Sequence, residues 1–420
     1  MTCWVPRVQL EYNQPVKSFA FAALLFLCSS ADGQVGEAQP ASLAQVNPPA
    51  ETIPPNGRDY RMPPSGEVTV PAEGGLVVQA TINGKGPFKA VFDTGSGVNI
   101  MSANLAQKLG LQLDAQAAEL GTSSPANVRA STTHVDTLQI GDLLLRNQIF
   151  YVIDFPGGVD DVSFAVGYEL LRRFAVRIDF EKQRLTFYDG SQFHYSGAGT
   201  AVPLRIQENA LLVKVFIGDA AGWFELDTGN DSGTMMFTNF TVKNKLVQAL
   251  GAHFLAYNGR GFAGPSPQAY LVRVNNMRIG DVRVPSAIGR FSTDPSDKRE
   301  TDGNIGKDIL SHFTEVFDCM HGQVYFEPTK DSAQPEVFNR AGLLFDSFGH
   351  GLEVMTVLPG SPGAEAGIET GDVVTAIDGK TPDDEMNQPA FLRPPGTKLR
   401  LTIQHGAATR EVTVTLSDVL

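Results

Sequence analysis

Val91-Phe92-Asp93-Thr94-Gly95-Ser96 recurs 134 residues later as Glu225-Leu226-Asp227-Thr228-Gly229-Asn230. One Asp-Thr-Gly is a weak signal, because so short a string arises by accident; two copies set in a longer repeat are a strong one. Gln139-Ile140-Gly141-Asp142 matches Arg278-Ile279-Gly280-Asp281, Ala165-Val166-Gly167 matches Asn304-Ile305-Gly306, and Asp179 matches Asp318, all at a shift of 139 residues. Five inserted residues separate the two registers. The chain therefore reads as a duplicated unit of about 130 residues.

Each copy carries strand patterns. Leu76–Ile82 and Leu211–Ile217 are apolar or β-branched runs that end in Asn83-Gly84 and Gly218-Asp219, a hairpin signal. A second strand leads into each Asp-Thr-Gly. Ser102–Leu109 and Val242–Leu250 are expected as short helices, and Leu170–Phe174 and Ile309–Phe313 as single helical turns. Strand pairs, Ala175–Asp179 with Arg184–Tyr188 and Glu315–Cys319 with Gln323–Glu327, close the copies. The expected class is mainly β, consistent with 42 glycines in 420 residues and a 42% hydrophobic content.

Two equivalent strand-end loops can present Asp93 and Asp227 to each other across a local dyad. Carboxylates a few ångströms apart cannot both ionise, so they share one proton and supply an acid and a base at one pH. The ionised member can take a proton from a water held between them while the protonated member polarises a scissile carbonyl. Such a scheme calls for no cofactor, metal or covalent intermediate. Gly95 and Gly229 let backbone N–H groups approach the carboxylates. Thr94 and Thr228 offer hydroxyls to the opposite copy's backbone, and Ser96 offers one to the outer oxygen of Asp93.

Over residues 66–328 these motifs resemble the pepsin- and retropepsin-type aspartic proteases. The resemblance implies two pseudo-symmetric retropepsin-like β-barrel lobes forming one cleft, with Asp93 and Asp227 as the catalytic pair. It also implies an interlocked grip of Thr94 and Thr228, and apolar-apolar-Gly supports at Gly167 and Gly306. Asn230 stands where pepsin-like members carry Ser or Thr; its amide suits the same carboxylate and implies a retuned second aspartate. Gly121–Thr133 and Gly259–Pro267 occupy the flap positions, where glycine-rich tips would exclude water.

Other chemistries have less support. The sequence has no G-x-S-x-G, no H-E-x-x-H and no G-x-x-x-x-G-K-[ST]. Its seven histidines are scattered, and His312 and His321 read as packed or surface residues. Asp179 and Asp318 suit Asx-type turn bonds. The bland alternative for the paired motif is two strand-end turns without catalysis, as in a peptide-binding receptor. Asn239-Phe240-Thr241 fits a glycosylation acceptor, relevant only in a eukaryotic secretory pathway.

Past Pro328, the submotifs Ser361-Pro362-Gly363-Ala364-Glu365-Ala366-Gly367, Gly371-Asp372-Val373-Val374 and Ile377-Asp378-Gly379 appear in order. This succession resembles a bacterial-type PDZ domain, a small β-sandwich or barrel with short helices. Leu352–Leu358, Leu399–Gln404 and Glu411–Leu416 would be strands, and Asp383–Leu392 a groove helix interrupted by Pro389. The resemblance implies that an extended peptide adds as a strand and that a C-terminal carboxylate is captured near Gly342, Leu343 and Leu344. The loop reads Ala-Gly-Leu-Leu rather than Gly-Leu-Gly-Phe, and a docking module without peptide recognition is the alternative.

Lys17 precedes a ten-residue apolar run, Phe19–Cys28, followed by the small residues Ser29-Ser30-Ala31. This reads as a signal peptide, too short to span a bilayer. An uncleaved anchor is the alternative; lipid attachment at Cys28 is disfavoured by bulky Phe26 and Leu27. Cleavage would leave Cys319 as the only thiol, which suits an oxidising compartment. Net charge of −13 removes the basic footprint that nucleic-acid binding requires. The expected organisation is a signal peptide (1–31), a flexible linker or pro-segment (32–65), lobe 1 (66–195), lobe 2 (196–330) and a PDZ domain (336–420). The expected molecule is an exported bacterial endopeptidase, periplasmic or secreted. It would act on peptide or protein substrates, with a partner peptide in the PDZ groove and no integral membrane domain. A self-processing maturation factor is a further possibility.

Overall fold

The computed structural model describes residues 7–8, 59–74, 76–114, 118–121, 128–154, 162–231, 233–252, 254–257, 259–261, 264–265, 268–297, 299–348, 351–382 and 389–420. The expected signal peptide (except residues 7–8), the linker to residue 58, residues 122–127, 262–263 and 266–267 of the expected flaps and residues 383–388 lie outside these.

Alternation decides which faces are buried. In Glu67–Pro71, Val68 and Val70 point inward between exposed neighbours, the period-2 pattern of a half-buried strand. That strand ends a six-stranded antiparallel sheet ordered Thr200–Pro203, Gln323–Pro328, Phe313–Asp318, Phe174–Asp179, Arg184–Asp189, Glu67–Pro71. At its centre, Phe174–Asp179 pairs with Phe313–Asp318, Val176 opposite Phe317 and Asp179 opposite Thr314. These are equivalent segments of the sequence repeat, so the sheet joins the two copies about their pseudo-dyad.

The first copy folds the rest of its strands into a mixed sheet in which Val77–Ile82, Lys85–Phe92, Val162–Val166, Ile100–Ser102 and Leu143–Ile153 follow one another. The second copy repeats this core with Ala210–Ile217, Ala220–Leu226, Gly303–Ile305 and Met235–Met236. One apolar core runs through both copies, from Phe92, Phe164 and Phe187 to Phe224, Phe291 and Phe326. The helix at Ala103–Leu109 starts where Ser102 accepts the Leu105 N–H through its hydroxyl and stops at left-handed Gly110. The segment read as one helix at Val242–Leu250 is two short ones, Thr238–Lys243 and Leu246–Ala249, broken by Lys245 in a left-handed conformation.

The C-terminal module is a five-stranded sheet ordered Leu343–Phe348, Gly351–Val357, Val373–Ile377, Lys398–His405, Ala408–Thr415, with its own apolar core. Pro389–Leu392, the described end of the expected groove helix, is a 3₁₀ turn. No helix among the described residues is long and apolar enough to cross a membrane.

Candidate active site

The strand Lys85–Phe92 stops one residue before Asp93, and Ala220–Leu226 one before Asp227. One runs parallel to Ala165-Val166-Gly167 and the other to Asn304-Ile305-Gly306: Phe92 registers with Val166 and Leu226 with Ile305. The Asp93 N–H donates to Val166 O at 2.9 Å and the Asp227 N–H to Ile305 O at 3.0 Å. The supporting segment can lie so close only without a side chain, because a Cβ on Gly167 would overlap the carbonyls of Asp93 and Ser96.

The loops interlock through their threonines. Thr94 Oγ1 accepts the Thr228 N–H at 3.0 Å and donates to Leu226 O at 2.8 Å. Thr228 Oγ1 accepts the Thr94 N–H at 3.0 Å and donates to Phe92 O at 3.3 Å. Four buried groups are thus satisfied across the dyad.

This grip brings Asp93 and Asp227 together, 1% and 6% exposed. Gly95 N–H donates to Asp93 Oδ1 at 2.9 Å. Gly229 N–H reaches both carboxylates, Asp227 Oδ1 at 2.9 Å and Asp93 Oδ1 at 3.1 Å, which holds those oxygens no more than about 6 Å apart. Any Cβ on Gly95 would overlap the Asp227 carboxylate, and one on Gly229 that of Asp93. Each glycine therefore makes room for the opposite aspartate.

The two acids are not equivalent. Burial, then the charge of Asp227, hold Asp93 well above the ordinary carboxylate range, although the Gly95 N–H donates to it. Burial also raises Asp227, but donors from Asn304, Asp93 and Gly229 oppose the rise. Burial side by side raises both carboxyls, which suits one proton shared by the pair. Asp93 Oδ2, buried and receiving no donor, is the oxygen that suits a proton.

Two expectations are corrected. Ser96 Oγ donates to Val98 O at 2.7 Å, stapling its own loop, not to the outer oxygen of Asp93. The Asn230 amide does not touch the second aspartate: it donates to Gly233 O at 2.9 Å and Asn304 Oδ1 at 2.8 Å. Asn304 Nδ2 then donates to Asp227 Oδ2 at 2.6 Å. Asn230 thus acts by orienting Asn304, a residue the sequence reading passed over although it replaces Ala165 in the repeat. Glu225, 7% exposed and in the place of Val91, is the other polar replacement, and its charge adds to the rise in Asp93.

Gly342, Leu343 and Leu344 form a separate locality. Leu343 is in the C-terminal module's core, and Leu344 joins a cluster with Leu358 and with Ala256, Leu271 and Ile288 of the second copy. Asp179 accepts the Lys182 N–H and Asp318 the His321 N–H, both within turns.

Comparison with known proteins agrees with both motifs. Residues 78–169 match the aspartyl protease family model and residues 353–405 the PDZ domain model. The periplasmic pH-dependent serine endoprotease DegQ of Escherichia coli (strain K12) is 25% identical over 284 residues, 61% of this chain and 58% of that protein. This chain thus spans less than two thirds of that relative's length. Among solved structures, the aspartic proteinase from Irpex lacteus aligns with a TM-score of 0.45 and 16% identity, over 64% of this chain and 99% of that one.

Proposed function

We propose that this chain is an exported aspartic endopeptidase that hydrolyses extended polypeptide segments between Asp93 and Asp227, with its PDZ-like module recruiting peptide. The carrying observation is the Gly229 N–H shared by the two carboxylates, with each Asp-Thr-Gly glycine making room for the opposite acid. Asp227, ionised and oriented by Asn304, takes a proton from water as its oxygen attacks the scissile carbonyl carbon. Asp93 donates its proton to the carbonyl oxygen. Collapse of the tetrahedral diol breaks the C–N bond as Asp227 gives its proton to the amine, and one diol hydroxyl returns its proton to Asp93 to leave the carboxylic acid. Thr94, Thr228, Gly95 and Gly229 hold the geometry; Ser96 and Asn230 brace the loops.

DegQ's name describes a serine enzyme, so the catalytic type needs its own support. Among the described residues histidine meets aspartate twice, at His321–Asp318 (2.8 Å) and His405–Asp372 (2.7 Å). Both imidazoles are more than half exposed, and among the described residues neither has a serine hydroxyl bonded to it. The buried carboxylate pair is the better-built acid–base system. Export follows from the N-terminal apolar run and agrees with the periplasmic relative.

The test is digestion of a peptide library between acid and neutral pH, read by mass spectrometry, with the parent, Asp93→Asn and Asp227→Asn. Cleavage by the parent and by neither variant is expected. An active variant sinks the reading, and a parent that binds peptides without cutting any points to a receptor instead.

A further inference from the structure

Between the second copy and the C-terminal module lies a cavity of about 540 Å³, within the range of ligand sites. One wall is the start of Leu343–Phe348, the edge strand of the five-stranded sheet, with Leu343, Leu344 and Phe345 lining the cavity. The other wall is formed by the second copy and the segment that links it to the module, and it carries charge. Asp231, Asp308, Asp331 and Glu336 line it against two permanent cations, Arg290 and Lys307. Lys307 is ion-paired to Asp231. Arg290 donates to Tyr257 O at 3.0 Å and stands near both Asp308 and Glu336. With Arg273 facing Glu336 as well, three cations stand against four carboxylates, one negative charge in excess once Glu336 is ionised. Crowding shows at Glu336: burial and then Asp308 push its carboxyl up to about 8, although Arg290 and Arg273 also face it.

We propose that this cavity is a shared peptide site, in which an extended segment added to the edge strand Leu343–Phe348 presents a lysine or arginine to the carboxylates of the opposite wall, on the second lobe and the segment that follows it. This rests on the PDZ-like reading of the module and extends it, because half of the recognition comes from outside the module. Backbone pairing at a sheet edge supplies affinity without sequence preference; the charged wall supplies selection where Glu336 is ionised, since an incoming cation then finds one carboxylate in excess and an incoming anion meets like charge. The same wall braces the second aspartate's loop. Lys307 N–H donates to Asn230 O at 3.0 Å, and Asp308 accepts the Thr234 N–H at 2.9 Å and hydroxyl at 3.1 Å. A peptide read here thus touches the residues that position Asp227.

Binding is measured on the full chain carrying Asp93→Asn, so that the outcome does not depend on catalysis. The probes are two fluorescein-labelled decapeptides of Val and Thr, one with arginine at its centre and one with glutamate, titrated by fluorescence anisotropy at pH 9, where Glu336 is ionised. The arginine peptide is expected to bind about tenfold more tightly, one well-placed charge interaction. Glu336→Gln is expected to shrink that ratio by about threefold or more. Because Glu336 also accepts the Ile288 N–H and its replacement can disturb folding, exposed Asp331→Asn supplies a second, smaller reduction in the same direction. Equal affinity for the two peptides overturns the shared site while leaving peptide capture by the module intact. Failure of both peptides to bind overturns both, and an unchanged ratio in Asp331→Asn and in folded Glu336→Gln removes the carboxylate wall from the account.

Discussion

Asn304 gives Asp227 a donor that Asp93 lacks, because the matching position in the first copy is Ala165. A hydrogen bond to a charged group contributes about 1.5–3 kcal/mol, and 1.36 kcal/mol corresponds to one pKa unit. Asn304→Ala should therefore raise the pKa of Asp227 by about one to two pH units. The base must be ionised, so the acidic limb of the kcat/KM profile should move to higher pH by that amount. A limb that stays in place would mean that Asn304 does not set the charge on Asp227. Gly229→Ala tests the geometry: the added methyl meets the Asp93 carboxylate, and displacement of a reacting group by about 1 Å costs on the order of a hundredfold. The expected result is a fall of that size in kcat at every pH, distinct from the shifted limb of Asn304→Ala.

At the scale of elements, the two Asp-Thr-Gly loops depend on each other. Thr94→Val keeps the shape of the side chain but leaves the Thr228 N–H and Leu226 O buried without partners. Each such group costs about 1–3 kcal/mol, so thermal unfolding should show a loss of about 2 kcal/mol or more. Thr228→Val should behave alike, and because both belong to one network the double variant should lose less than the two singles combined. Strict additivity would argue against an interlock. This grip was legible in the sequence because the repeat placed both threonines one residue past equivalent strand ends, and the backbone then leaves few directions for a hydroxyl. Ser96 and Asn230 were misread because a polar side chain beside an aspartate has several acceptors in reach, and only tertiary packing decides among Val98 O, Gly233 O and Asn304 Oδ1. Asn304 was visible as a polar residue at an apolar repeat position, a signal that needed the two copies compared column by column. The break at Lys245 had no glycine or proline to announce it. The cavity beside the C-terminal module had no sequence signature, since it is built by surfaces of two separately folding patterns.

At the scale of the whole molecule, the six-stranded sheet that joins the copies carries an unmatched feature at its centre. Glu315 lies opposite Ile178 on the paired central strands, fully buried, with neither carboxylate oxygen hydrogen-bonded. The equivalent residue of the first copy is Val176. Burial, with a smaller contribution from Asp179, holds the Glu315 carboxyl well above its ordinary range, so the folded chain keeps it protonated where the unfolded chain ionises it. A folded pKa above the unfolded one gives stability that is complete at pH below the unfolded value, about 4.3, and is progressively lost as pH rises toward the folded one. Glu315→Val removes both the loss and the unsatisfied polar atoms. The variant should be more stable than the parent by about 1–3 kcal/mol near pH 7, and the advantage should narrow by pH 4, as followed by urea unfolding at the two pH values. An advantage of equal size at both would assign the gain to packing alone, and a less stable variant at pH 7 would show that the carboxyl has a partner the sheet depends on. With the cleft carboxylates untouched, peptide cleavage should persist in this variant, which separates the sheet's contribution to holding the lobes together from the chemistry at Asp93 and Asp227.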